Sequence, residues 1–272
     1  MVQKTALSVQ SLACHGKCSL TEALPIISVC GISLSVLPTV VLSTHTGGFG
    51  EPERIDTTEF LANSLEHYRS EKIKFNGIYT GYFADRSQIE LLTKQINGVK
   101  ESDALVLVDP VLGDKGKFFS GINEEFIDEM LSLCKTADVI LPNITESCFL
   151  CGEKYKENPT ENELLSLAVK LFNITKAQVV ITGVENKNKI GALIFDGENA
   201  EFIYSKKIHD RFHGTGDMFS SIVFACLLKG KSLKKSVVKA QKFITDSINK
   251  TISATALEKN GLNFENSLKN LI

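Results

Sequence analysis

The residues best equipped for chemistry lie late in the chain. His213-Gly214-Thr215-Gly216-Asp217 runs directly into an apolar helical stretch, Met218 to Leu228. Glycines at a helix N-terminus leave backbone N–H groups free, and with the helix dipole these make an anion site. A carboxylate just inside the helix start adds a proton acceptor. Phosphoryl transfer to an alcohol needs both tools: donors for the phosphate charge and a base for the hydroxyl proton. The same residues also read as plain turn-and-cap chemistry, with Thr215 or Asp217 capping the helix. Their neighbours in space decide between the two.

Other polar residues follow short apolar runs. Ala104 to Val108 is nearly continuous in apolar side chains, as expected of a strand buried on both faces, and it ends in Asp109-Pro-Val-Leu-Gly-Asp114. Two carboxylates leaving one strand tip suit a Mg²⁺ ion held largely through waters and phosphate; a solvated acid and a helix-capping acid are the plainer alternative. Val139 to Leu141 ends in Pro142-Asn143-Ile144-Thr145-Glu146. There Asn143 and Glu146 have capping-box spacing, and Glu146 is also compatible with holding a metal-bound water. Thr5 to Val9 ends in Gln10-Ser11, Leu34 to Leu42 in Ser43-Thr44-His45-Thr46-Gly47-Gly48, and Gly77 to Thr80 in Gly81-Tyr82. Hydroxyls, an imidazole and an aromatic face suit a small planar polar substrate, with Tyr82 stacking on it. A core aromatic and a satisfied loop histidine are the alternatives for Tyr82 and His45. Thr182, closing the run from Gln178, either reaches a nucleotide phosphate or simply ends the strand.

Elements able to position these residues alternate along the chain. Ser19-Leu-Thr-Glu22 predicts a capping box opening a helix to about Cys30. Asp56 to Glu71 has helical periodicity, with Phe60, Leu61, Leu65 and Tyr68 near one face. Helices are also expected over Ser87–Ile96, Ile122–Cys134, from Glu146 to Cys151, and from Thr160 to Phe172. Lys189–Phe195 and Glu201–Tyr204 form a hairpin-like pair around Asp196-Gly197, and three helices follow the glycine motif. Strand–helix alternation predicts an α/β protein: a mostly parallel sheet with helices on both faces and an antiparallel edge. Ligands of such sheets bind beyond the C-terminal strand ends, where the polar residues cluster. No linker or repeat divides residues 1–272, so a single domain is expected.

Composition excludes several classes. The 272 residues are 43% apolar and 23% charged, with a net charge of −2, which supplies a large core and no basic stripe for nucleic acid. Between Glu22 and Glu51 only Cys30 and His45 are ionisable, but Pro25, Gly31 and Pro38 interrupt the segment, so no membrane span is expected. Seven scattered cysteines and no secretory leader point to free thiols in the cytoplasm. The pairs Cys148/Cys151 and Cys14/Cys18 are read as small buried thiols at helical spacing rather than as a zinc or redox site.

Taken together, six motifs give the chain a resemblance to the pyridoxal kinase group of the ribokinase-like superfamily. They are Ser8-Val-Gln-Ser11, Ser43-Thr-His-Thr-Gly47, Thr80-Gly-Tyr82, Val108-Asp-Pro-Val-Leu-Gly-Asp114, Leu141-Pro-Asn-Ile-Thr-Glu146 and Gly214-Thr-Gly-Asp217, in the family's order and spanning about residues 5–250. The resemblance implies a three-layer α/β/α fold without a separate lid domain. It also implies ATP-dependent phosphorylation of the 5′-hydroxymethyl group of a vitamin B6 vitamer. Asp217 matches the general base, and Gly214, Thr215 and Gly216 match the anion hole. Asp109, Asp114 and Glu146 match positions near metal and phosphates, and Asn143 and Thr182 match nucleotide-side positions. Ser11, Thr46 and Tyr82 match the pyridine pocket, with His45 beside them. Lys115-Gly-Lys117 follows where relatives carry a flap. ATP, Mg²⁺, a monovalent cation such as K⁺ or Na⁺, and a homodimer are implied with them. Lys17 and the Gly-Gly-Phe-Gly-Glu stretch after Thr46 depart from the pattern beside the substrate pocket, which leaves vitamer preference open. Hydroxymethylpyrimidine kinases of this fold typically carry Cys where this chain has Asp217. A non-catalytic vitamer-binding protein has no need of that acid.

Overall fold

The computed structural model describes residues 3–208, 212–253 and 258–272. In chain order the elements are β1 (Thr5–Ala13), α1 (Leu20–Val29), β2 (Ser33–Leu42), β3 (Arg54–Asp56), α2 (Thr58–Ser70), β4 (Phe75–Thr80), α3 (Arg86–Val99), β5 (Lys100–Val108), β6 (Gly113–Asp114), β7 (Lys117–Phe118), α4 (Phe126–Cys134), β8 (Val139–Ile140), α5 (Ile144–Cys151), α6 (Glu161–Thr175), β9 (Gln178–Asn186), β10 (Lys189–Phe195), β11 (Ala200–Lys206), α7 (Thr215–Leu228) and α8 (Leu233–Ser253). Short 3₁₀ segments, Glu258–Asn260 and Glu265–Leu271, follow α8 where a third helix was expected.

Nine strands form one sheet in the order β11-β10-β9-β8-β5-β4-β1-β2-β3. The six strands from β9 to β2 pair in parallel. The expected hairpin makes one antiparallel edge, β9–β10–β11. A second antiparallel edge, β3 on β2, was not foreseen; its three residues are exposed and carry no apolar alternation.

Helices cover both faces. One face packs Leu61, Leu65, Ile89, Leu92, Met130, Leu164 and Leu171, from α2, α3, α4 and α6, against Val106, Val108 and Val179 of the sheet. The other packs Ile26 and Ile27 of α1, Ile222 and Phe224 of α7 and Val237 of α8 against Ala6, Tyr79 and Leu107. Each such aliphatic side chain withdrawn from water contributes roughly 1.5–3 kcal/mol before entropy is charged against it. The fold is thus the expected three-layer α/β/α arrangement.

Some local expectations are corrected. Phe60 lies on the solvent side of α2, 58% exposed, while Leu61 and Leu65 are buried. β1 runs on past Val9 to Ala13, with a register shift against β2 between Gln10 and Leu12. Cys148 and Cys151 are buried on α5 as expected, but Cys14 is exposed and Cys18 partly so, and neither is in a helix. The Ser19–Glu22 capping box does not form: Ser19 precedes α1 with φ 47° and makes no side-chain cap.

Candidate active site

Helix α7 begins in an unusual way. Its N-cap is Gly214, with φ 84° and no side-chain cap. A Cβ at Gly214 would lie 2.4 Å from the Lys17 carbonyl oxygen and 2.5 Å from Glu22 Oε1, so only glycine fits this turn. The first helical amides therefore keep no side-chain partner, and an uncapped helix N-terminus can receive an anion.

Asp217 stands in the first turn of α7. Ser19 Oγ donates to its Oδ1 at 3.4 Å, and the Tyr79 hydroxyl faces its main-chain oxygen at 3.4 Å. Burial pushes the Asp217 carboxyl up to about 6, against hydrogen bonding from Ser19 that favours the charged form. At neutral pH it is ionised, yet close enough to its titration to accept a proton readily.

One turn further along α7, buried Ser220 donates to Asp109 Oδ2 at 2.7 Å. This ties the helix to the tip of β5. Burial raises the Asp109 carboxyl, Ser220 opposes that rise, and the charge of Asp217 adds to it. Glu146 lies beyond. It accepts from Leu112 N–H at 3.1 Å and from Asn143 N–H at 2.8 Å, and Asn143 Oδ1 accepts from Glu146 N–H at 3.0 Å. This is the capping box expected at α5. Burial, then the neighbouring Asp109, raise the Glu146 carboxyl. Thr182 reaches the same corner through a parallel bridge to Asn143, its N–H donating to Pro142 O at 2.9 Å.

Asp114 does not join this pair. It sits exposed on the β6–β7 hairpin, and among the described residues no three His, Cys, Asp or Glu side chains converge as metal ligands. The expected trio of Asp109, Asp114 and Glu146 therefore reduces to two carboxylates. The hairpin is pinned to the start of α5 by Asn143 Nδ2 donating to Gly113 O at 2.8 Å and Gly116 N–H donating to Thr145 Oγ1 at 3.0 Å.

On the other flank His45 is buried. Gly47 N–H donates to its Nδ1 at 3.1 Å and its Nε2 faces Lys259 O at 2.8 Å, so the proton belongs on Nε2. Burial lowers its pKa, as do nearby His213 and His15. The rings of His45 and His213 lie 5.2 Å apart, and a Cβ on Gly47 would strike His213 Cε1 at 2.4 Å. The loop after β2 thus rests on the residue that opens the glycine turn. Thr46 is exposed there. Ser11 is buried within the shifted stretch of β1, inside the strand rather than at its tip, and Tyr82 is half-buried after β4. Lys17 is committed elsewhere: its ammonium pairs with Glu265 at 2.7 Å and donates to Leu262 O at 2.8 Å.

Three neighbours of Asp217 were missed as site residues: Ser19, Glu22 and Ser220. Ser220 had a readable signal, lying three residues after Asp217 and hence on the same helix face. Ser19 and Glu22 were visible only as a local cap.

Fold and site together define a ribokinase-like phosphotransferase: a parallel sheet whose C-terminal edge meets a glycine turn, a buried aspartate and a carboxylate pair. The chain belongs to the family described as phosphomethylpyrimidine kinase, whose model matches residues 27–261. It is similar to a putative pyridoxal kinase of Schizosaccharomyces pombe, 27% identical over 282 residues that cover 94% of this chain and 89% of that protein. Among solved structures it is similar to the pyridoxal kinase of Lactobacillus plantarum (TM-score 0.93, 28% identity, 98% of this chain and 96% of the other). It is also similar to a putative phosphomethylpyrimidine kinase of Bacteroides thetaiotaomicron crystallised with pyridoxal (TM-score 0.93, 31% identity, 99% and 96%).

Proposed function

We propose that this protein transfers the γ-phosphoryl group of ATP to the 5′-hydroxymethyl group of a vitamin B6 vitamer, giving the 5′-phosphate and ADP. The observation that carries this is Asp217: an ionisable carboxylate beside an uncapped helix N-terminus, on a fold shared with pyridoxal kinases. A primary alcohol is a poor nucleophile at neutral pH. Asp217 accepts its proton as the bond to phosphorus forms. The amides of Gly214, Thr215 and Gly216 bind the charge of the transferring group. Ser19 holds Asp217 ionised, and Ser220 orients Asp109.

Asp109 and Glu146 suit Mg²⁺. Two buried carboxylates whose oxygens are partly engaged by protein donors fit an ion that keeps most of its waters and takes its other ligands from phosphate. Bound there, Mg²⁺ neutralises phosphate charge. Asn143, Thr182 and Asp114 are assigned to the nucleotide side, and Ser11, His45, Thr46 and Tyr82 to the pyridine side.

The whole chain is taken as one kinase domain, supported by the nine-stranded sheet between Thr5 and Lys206 and by the packing of α7 and α8 on its face. A homodimer is supported by exposed Ile55 on β3 and Phe60 on α2. Seven unpaired cysteines support a cytoplasmic protein; among the described residues no helix is long and apolar enough to cross a membrane. The monovalent cation expected from the resemblance is proposed on that ground alone.

The description of the matching family supports a second reading, phosphorylation of hydroxymethylpyrimidine or its phosphate. Asp217, where pyrimidine kinases of this fold typically carry Cys, weighs for the B6 vitamer. Incubating the protein with ATP, Mg²⁺ and each of pyridoxal, pyridoxamine, pyridoxine and hydroxymethylpyrimidine separates the two. Phosphate on a B6 vitamer is the expected product. Product from the pyrimidine alone transfers the assignment to the second reading, and no product from any of them overturns both.

A further inference from the structure

Glu22 has no place in the chemistry so far, yet it is the most anomalous polar group near it. It is 0% exposed, and neither carboxyl oxygen has a well-aligned hydrogen-bond partner: the nearby Met218 N–H is spent on Gly214 O at 2.9 Å. Buried carboxyls without partners are rare because the desolvated charge is so unfavourable. The group is also aimed at a particular place: Oε1 lies 2.5 Å from where a Cβ of Gly214 would be, directly behind the glycine turn. The turn that receives the phosphate is packed onto a carboxyl group.

We propose that Glu22 is a positioning residue of the phosphate site: a neutral carboxylic acid that floors the Gly214–Gly216 turn, and whose ionisation sets a negative charge against the bound phosphoryl group. The inference rests on the kinase reading of that turn.

The charged surroundings favour the neutral form. Asp217 on α7 and Glu265 in the C-terminal 3₁₀ segment repel a charge on Glu22. Among the described residues Lys17 is the cation facing it, and its ammonium is engaged by Glu265, Leu262 O and Asn263; the Met218 N–H of α7 adds a smaller pull toward the charged form. The N-terminal dipoles of α1 and α7 favour an anion, but this is a smaller effect than full desolvation. Burial accordingly raises the Glu22 carboxyl well above the usual range. Asp217, supported by Ser19, is thus the ionised one of the two acids, and Glu22 keeps its proton.

Neutrality here has a functional consequence. With Glu22 protonated, it adds no negative charge beside the turn to that of Asp217. An ionised Glu22 cancels part of the attraction that the turn's amides offer to phosphate, so nucleotide affinity falls as Glu22 titrates. Replacement by a neutral side chain of similar size removes that sensitivity.

The test uses the full chain, with Glu22→Gln as isostere and Glu22→Met as a second neutral variant in case the amide folds poorly. Infrared difference spectra, wild type minus variant at about pH 8, read the protonation state directly, because Asp217 is ionised there. A protonated carboxylic C=O band assigned to Glu22 is expected; a carboxylate band in its place overturns the proposal. Calorimetric titration with Mg²⁺ and a non-hydrolysable ATP analogue then follows affinity up to about pH 10. Wild type should lose affinity by up to about tenfold per pH unit once the band titrates, with both variants flat. Equal alkaline loss in wild type and variants overturns it, as does titration of the band without any loss of affinity; a band that persists throughout upholds the neutral assignment. None of these readouts requires turnover. A protein that phosphorylates no vitamer would therefore refute the proposed function while leaving the state of Glu22 decided separately.

Discussion

Helices α5 and α7 both begin at the C-terminal edge of the sheet, and both carry an acid at the third helical position. At α5, Glu146 folds back onto the Asn143 N–H while the Asn143 side chain accepts from Glu146 N–H, so the helix start satisfies itself. At α7, Gly214 has no side chain to offer, and Asp217 turns away to Ser19. One N-terminus is closed by its own residues, whereas the other is left open to a ligand. The glycine makes the difference, by withholding a cap and by letting the chain take φ 84° against Glu22 and the Lys17 carbonyl.

Breaking the open end should have the largest effect. Gly214→Ala forces a Cβ into two oxygen atoms at a left-handed φ. It should lower stability by about 2 kcal/mol or more in a denaturant titration and lower turnover by at least about 10²-fold, as for loss of an oxyanion donor. Asp217→Asn sharpens the comparison through stability. The raised carboxyl stabilises the fold while protonated, and that contribution disappears as pH rises through about 6. The Asn variant should therefore be more stable than wild type at about pH 8, by on the order of 2 kcal/mol, and the gain should vanish toward about pH 4. At the closed end, Asn143→Ala removes half of the capping box and should lower stability by about 1 kcal/mol. Thr160→Ala does the same at α6, whose box is exposed and far from the chemistry; about 0.5–1 kcal/mol is expected, with unchanged turnover.

The same four-residue pattern shows how far sequence could be read. Ser19/Glu22, Asn143/Glu146 and Thr160/Glu163 all have capping-box spacing, and the second and third form as expected. The first fails because α7, almost two hundred residues later, supplies Asp217 to take the Ser19 hydroxyl, and Gly214 presses on Glu22. No local rule holds that information. The core strands were legible because burial on both faces writes continuous apolar runs, as in Ala104–Val108. β3 and the β6–β7 hairpin were not, since a strand of two or three residues is too short to show alternation and exists only by pairing with something already folded. Gln10 and Ser11 looked like a strand tip because they are polar, but the register shift carries β1 through them. Asp109 and Glu146 lie beside each other in the structure, whereas Asp114, close to them in sequence, is carried to an exposed position by the hairpin.

The central claim is that the open N-terminus of α7 binds phosphate and Asp217 takes the proton of the acceptor alcohol. The direct test is the turnover of Asp217→Asn beside wild type, with nucleotide affinity measured on the same preparations. A fall in kcat of about 10²–10⁴-fold is predicted, with nucleotide affinity held. Wild-type kcat/KM should decline below about pH 6, where Asp217 gains a proton and can no longer accept one. Near-wild-type turnover in the Asn variant would contradict the account.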